Sequence, residues 1–113
     1  MTEIRAGDTL ALAEHYLLIG QPRGALQTLG RVDAAALEEP AYWRTRAAAL
    51  LDLDQAAAEL DAARSGLRLN ADDPWLLSLA SRAAEGLGDL AEAERLILAA
   101  LRLWPENPGW LCQ

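Results

Sequence analysis

The apolar and polar positions along the chain repeat with the period of a helix. From Leu90 to Trp104 the polar residues are Glu92, Glu94, Arg95 and Arg102, and all but Glu94 fall on one narrow strip. The rest of that surface, with Leu90, Leu96, Ile97, Leu98, Leu101 and Trp104, is apolar on two sides. This pattern predicts a helix from Leu90 to Trp104, which Pro105 prevents from extending. Before it, Asp73-Pro74 supplies an N-cap acceptor and a proline at the first helical position, where the missing N–H costs nothing. A helix is therefore predicted from Pro74 to the stretch Gly86–Gly88, where glycine accepts the left-handed conformation that turns the chain. Gly20-Gln21-Pro22 is the same kind of turn, and Asn107-Pro108 the same kind of start.

These signals recur. Pro40, Pro74 and Pro108 are spaced 34 residues apart, and sliding the chain by that interval brings Ala13, Ala47 and Ser81 into line. Gly20, Asp54 and Gly88 also align, as do Val32, Gly66 and Ala100, and Leu67-Arg68-Leu69 is repeated at Leu101-Arg102-Leu103. Each period divides into two helical patterns joined by a short turn. The expected architecture is all-α: three helix-turn-helix units at about residues 6–39, 40–73 and 74–107, with residues 108–113 opening a fourth. A shift of one residue would instead align Asp54 with Asp89 and Ala58 with Ala93, leaving two registers for the second helix of unit two. In unit one the segment Val32-Asp-Ala-Ala-Ala-Leu-Glu-Glu39 itself contains no terminating proline, so its second helix is expected to extend or fray.

The aligned small residues predict close helix approach. Ala47 and Ser81 should face Ala93, Ala100 or Gly66, and Gly66, which costs about 1 kcal/mol against alanine inside a helix, should be compensated by tight packing. Trp43, Leu50, Leu77 and Ile97 fill the spaces between.

Gly88-Asp-Leu-Ala-Glu-Ala93, followed by Ile97, Ala100 and Pro105, resembles the second half of the tetratricopeptide repeat. Trp43, Ala47 and Leu50 resemble its first half. The resemblance spans about residues 6–110, with Glu59 and Ala63 as departures, since alanine and a bulky residue are expected there. It implies a right-handed superhelix whose first helices line a concave, protein- or peptide-binding surface. Carried onto this chain, that surface comprises Leu10, Glu14 and Leu17, then Arg44, Ala48 and Leu51, then Trp75, Ser78, Arg82 and Glu85. Arg44 and Arg82 are candidate hydrogen-bond donors to a carboxylate or acidic peptide, set against plain solvated helix charge. Trp75, at a place the family leaves on the surface, is either an interface anchor or a staple on Leu69 or on the preceding helix. Some members of the family bind the acidic tails of heat-shock chaperones through lysines and asparagines. Here Leu10 and Glu14 hold the opening pair and lysine is absent, so that partner is not expected.

Composition narrows the picture further. The length of 113 residues allows one domain, Phe is absent, and alanine and leucine dominate. The net charge is −7, with 17 acidic side chains against 10 basic ones, all arginine, and no basic stripe for a phosphate backbone. Nucleic acid is not an expected partner. Glu3, Asp8 and Glu14 interrupt the only N-terminal apolar stretch, which argues against a signal peptide or membrane span, and the lone Cys112 forms no internal disulfide. The expected location is the cytoplasm.

Candidate chemistry is sparse. His15 is the sole histidine and has no second ligand at helical spacing, so it is read as a structural or solvent-edge residue. Asp52, Asp54, Asp72 and Asp73 lack the alternating loop calcium requires and suit turns and caps. Gly86-Leu-Gly88 lacks the lysine and hydroxyl of a phosphate loop, and Cys112 lacks a neighbour that would lower its pKa. No catalytic residue, metal or cofactor is expected.

The apolar flank of the last helix raises a second expectation. A helix of that pattern calls for neighbours on both sides, and repeat arrays end in a polar cap to cover the last hydrophobic face. Leu98, Leu101, Trp104, Trp110 and Leu111 are therefore candidate self-association residues, forming a homodimer. The alternative is that the chain is the N-terminal portion of a longer repeat protein. Burial of that face contributes on the order of 5 kcal/mol.

Overall fold

The computed structural model describes residues 6–32 and 34–103. They form α1 (Ala6–Leu18), α2 (Pro22–Leu29), α3 (Pro40–Asp52), α4 (Ala56–Leu69), α5 (Pro74–Gly86) and α6 (Leu90–Leu103), with a 3₁₀ turn at Ala34–Glu38 between α2 and α3. No strand occurs among the described residues. Each helix packs on the next in the chain. In addition α1 meets α3 and α3 meets α5, so the first helix of every pair joins one continuous layer.

The 34-residue period is visible in the backbone. Gly20, Asp54 and Gly88 have φ of 77°, 58° and 84°, and are the residues with left-handed φ among those described. In each turn the next N–H donates back across the helix end: Gln21 to the Tyr16 carbonyl at 2.7 Å, Gln55 to Leu50 at 2.9 Å and Asp89 to Ala84 at 2.9 Å. This is the 6→1 bond of a Schellman ending, which requires one left-handed residue. Aspartate tolerates that conformation better than most side chains, so Asp54 stands in for glycine. The register is thereby decided: Asp54 corresponds to Gly88, and the alternative pairing with Asp89 is excluded.

Unit one differs from a simple extension of its second helix. α2 stops at Leu29, and the alanine-rich segment winds instead into the 3₁₀ turn that delivers the chain to Pro40. Trp43 fastens this turn, donating from Nε1 to the Leu37 carbonyl at 2.9 Å.

Two clusters make up the core. One joins Leu10, Ala13, Ala25, Leu29, Tyr42 and Ala49, and the other extends from Ala47, Leu50 and Leu60 through Leu76 and Ala80 to Leu96 and Ala100. Leu26 and Trp43 pack against both. Small residues permit close approach, as their alignment predicts. Ser81 Oγ donates to the Ala93 carbonyl at 2.7 Å, tying α5 to α6. An added Cβ on Gly66 would lie closest to Leu76 and Trp43.

Candidate functional site

The layer formed by α1, α3 and α5 carries a groove of about 530 Å³. Helical spacing brings its walls together. Glu14, Leu17 and Leu18 come from the last turns of α1, Arg44, Thr45 and Ala48 from α3, and Trp75 and Leu79 from the first turns of α5. Leu18 is 86% exposed and Trp75 49% exposed, so the groove presents unsatisfied apolar surface beside the charged Glu14 and Arg44.

Local structure explains why Trp75 stands there. Asp73 caps α5: its Oδ1 accepts from the N–H groups of Trp75 at 3.0 Å and Leu76 at 3.2 Å. The cap fixes the first turn of α5, with Leu76 turned into the core and Trp75 turned outward. Arg44 Nε lies 3.7 Å from Asp73 Oδ2, linking α3 to the start of α5. The guanidinium predicted to await a ligand carboxylate thus already faces a carboxylate of its own chain.

Of the residues predicted for the inner surface, the structure brings Glu14, Leu17, Arg44, Ala48 and Trp75 together in this groove. Leu51, Arg82 and Glu85 line a separate groove of about 550 Å³ with Gly86. Ser78, Arg82 and Glu85 line a third of about 300 Å³, closed by Leu90, Glu94 and Ile97 of α6. Leu10 is a correction. It is 7% exposed and belongs to the core with Ala25 and Leu29. Arg44, at the same register one period on, carries a charge that must reach solvent, whereas an apolar leucine gains by folding into the crevice. Leu18, Thr45 and Leu79 are additional lining residues. Leu18 and Leu79 lie four positions after Glu14 and Trp75, so helical spacing could have found them.

A solved structure closely resembles this one. The chain superposes on the NMR structure of the first TPR domain of the human RPAP3 protein with a TM-score of 0.87, at 21% identity, over 95% of this chain and 84% of that one. The fold is that of a tetratricopeptide-repeat array. No protein-family model and no curated protein sequence matches the chain.

Elsewhere in the tetratricopeptide-repeat array, Glu92 accepts a bidentate pair of bonds from Arg95, at 2.6 Å from Nε and 2.8 Å from Nη2. Those bonds hold the Glu92 carboxyl below its usual range. His15 is exposed, its ring 6.4 Å from that of Tyr16. Among the described residues no cluster of three His, Cys, Asp or Glu side chains suits a metal, and no helix is long and apolar enough to cross a membrane. On α6, Leu98 is exposed and Leu101 half-buried, while Leu96 packs into the core. Trp104, Trp110 and Leu111 lie outside the described residues, as do Pro105, Asn107, Pro108 and Cys112.

Proposed function

We propose that the chain is a non-enzymatic interaction module, acting in the cytoplasm, that binds a protein or peptide segment on the inner face of its repeat array. One observation carries the reading: a half-exposed tryptophan opens onto an apolar groove walled by three consecutive first helices. Rigid aromatic side chains in such places anchor interfaces at little entropic cost. The groove's character refines the ligand class. With Arg44 facing Asp73, the leading attraction is apolar, so the expected segment inserts an aliphatic or aromatic side chain beside Trp75 and Leu79. Charge contacts are secondary.

Selection of random displayed peptides on the purified protein tests this. The selected sequences should share an apolar anchor, and Trp75→Ala should weaken their binding about 30-fold, corresponding to loss of a hot spot. Ala48→Arg should do the same by filling the groove floor. Both variants should keep the wild-type helix content. Peptides that bind equally well to both variants would place the interaction elsewhere.

A second reading has its own support. Leu90 and Leu98 of α6 are exposed and Leu101, on the same helical face, is half-buried, and apolar faces of this kind commonly mark contacts between chains. Self-association through this face would appear as a mass that rises over a roughly tenfold range of concentration in size-exclusion chromatography with light scattering. Leu98→Glu with Leu101→Glu should return the mass to that of a monomer. A constant monomer mass for the wild type removes this reading.

A further inference from the structure

The contact between α4 and α5 is close along its whole length. A Cβ on Gly66 would lie 2.7 Å from Leu76 Cδ1, and one on Gly86 would lie 3.2 Å from Ala56 Cβ. The helices therefore run antiparallel with both ends of their contact drawn tight. Glu59 falls between these points along α4 and Ala83 between them along α5, and both are buried. Its side chain is 1% exposed, and its Oε2 has no hydrogen-bond partner among the described residues.

The repeat shows how unusual this is. One period before Glu59 stands Ala25 and one period after stands Ala93, both buried. The position takes a small apolar side chain in the other two helix pairs and a carboxylic acid here. The charges around it are few. Of the charged residues on the helices packed against α4, Arg82 of α5 acts on Glu59 and favours its ionised form. Arg44 of α3 faces Asp73, and Arg46 lines a groove with Trp43 and Asp61 of α4. Asp52 of α3, Glu85 of α5, and Arg64 and Arg68 of α4 are exposed.

We propose that Glu59 is a proton-controlled latch between the second and third helix pairs. Protonated, it packs as a neutral part of the α4–α5 contact; ionised, it has only the longer-range attraction of Arg82 to offset its burial, and the contact weakens. Removing a carboxylate from water without hydrogen bonds to replace it favours the neutral form. Burial accordingly pushes the Glu59 carboxyl up to about 7, against the opposing pull of Arg82. Because Arg82 also lines the two grooves at that end of the layer, the latch is coupled to the surface there. The proposal does not depend on what the Trp75 groove binds.

The direction of the pH effect follows from linkage. A group whose folded value lies above its unfolded one contributes stability fully present below the unfolded value, here 4.5, and lost as pH rises toward the folded value of about 7. Carboxyl ¹³C NMR titration of the wild-type protein should show one glutamate with a midpoint near neutrality, raised further in Arg82→Gln. In urea denaturation, the unfolding constant of the wild type relative to Glu59→Gln should rise on the order of a hundred-fold between about pH 4.5 and 8, then level off. Glu59→Ala, which installs the residue of the neighbouring pairs, is the second reference and should show the same difference. A Glu59 midpoint in the ordinary carboxylate range would overturn the proposal. So would a wild-type curve parallel to those of the two variants across that window.

Discussion

Replacing Trp43 with alanine should cost about 4 kcal/mol of stability, within the range for removing a large aromatic side chain from a packed site. The side chain is only partly buried, but it packs against both core clusters, a role it shares with Leu26. Its ring stands edge-on to that of Tyr42, with centroids 4.8 Å apart at 90°, an arrangement aromatic pairs favour. Its Nε1 also holds the 3₁₀ turn through the Leu37 carbonyl. The loss should therefore reach beyond stability. With the link reduced to Leu26, the first helix pair should unfold separately from the rest. Urea denaturation followed by circular dichroism should show a broadened transition with a lower slope, or two steps. Trp43→Phe keeps the stacking and loses the indole bond, and should cost about 1 kcal/mol while leaving one transition. A single sharp transition in Trp43→Ala would mean that the two clusters communicate by another route.

How far the chain could be read in advance depended on how local the deciding physics was. Pro40 and Pro74 open helices because proline suits a first turn and nothing distant alters that. Gly20 and Gly88 turn the chain for an equally local reason. Asp54 was ambiguous, because an aspartate permits left-handed φ without demanding it, and only the backbone of the turn shows that it adopts 58°. The stop of α2 was also hidden. An alanine-rich segment favours helix, yet the need to carry the chain to Pro40 and under Trp43 sets a 3₁₀ turn instead.

The candidate site follows the same division. Glu14, Leu17, Arg44, Ala48 and Trp75 share a groove because the repeat places first helices side by side, which periodicity reveals. Pairings across the chain are a different matter. Arg44 and Asp73 are far apart in sequence, and the cap that buries Asp73 is what gives Arg44 a carboxylate to face. Leu10 and Arg44 occupy one register, yet side-chain chemistry sends one inward and the other toward solvent. Glu59 stood out as a departure from the repeat, but its burial depends on how closely α5 approaches, which Gly66 and Gly86 determine.

Gly66→Val should destabilise the protein by about 3 kcal/mol, the upper part of the range for overpacking a filled core. The first added carbon would already lie 2.7 Å and 2.9 Å from the Leu76 methyls and 2.8 Å from Trp43 Cβ. The methyls end a side chain that could turn, but Leu76 is wholly buried and has no space to turn into. Trp43 Cβ is fixed to the backbone of α3, so relief requires α3 or α5 to move away from α4. Gly66→Ala meets the same contacts with less volume and regains about 1 kcal/mol of helix propensity, so its net cost should be smaller, about 1 kcal/mol. The repeat itself does not demand glycine here: Val32 and Ala100 occupy the corresponding places, and the counterpart of Trp43 one period earlier is Thr9. Glycine is required because a tryptophan stands opposite. Thermal and urea unfolding of Gly66→Val in the wild-type and Trp43→Ala backgrounds should show the valine's cost falling by more than 1 kcal/mol when Trp43 is truncated, a coupling expected of residues in contact. Additive losses would place the strain on Leu76 alone.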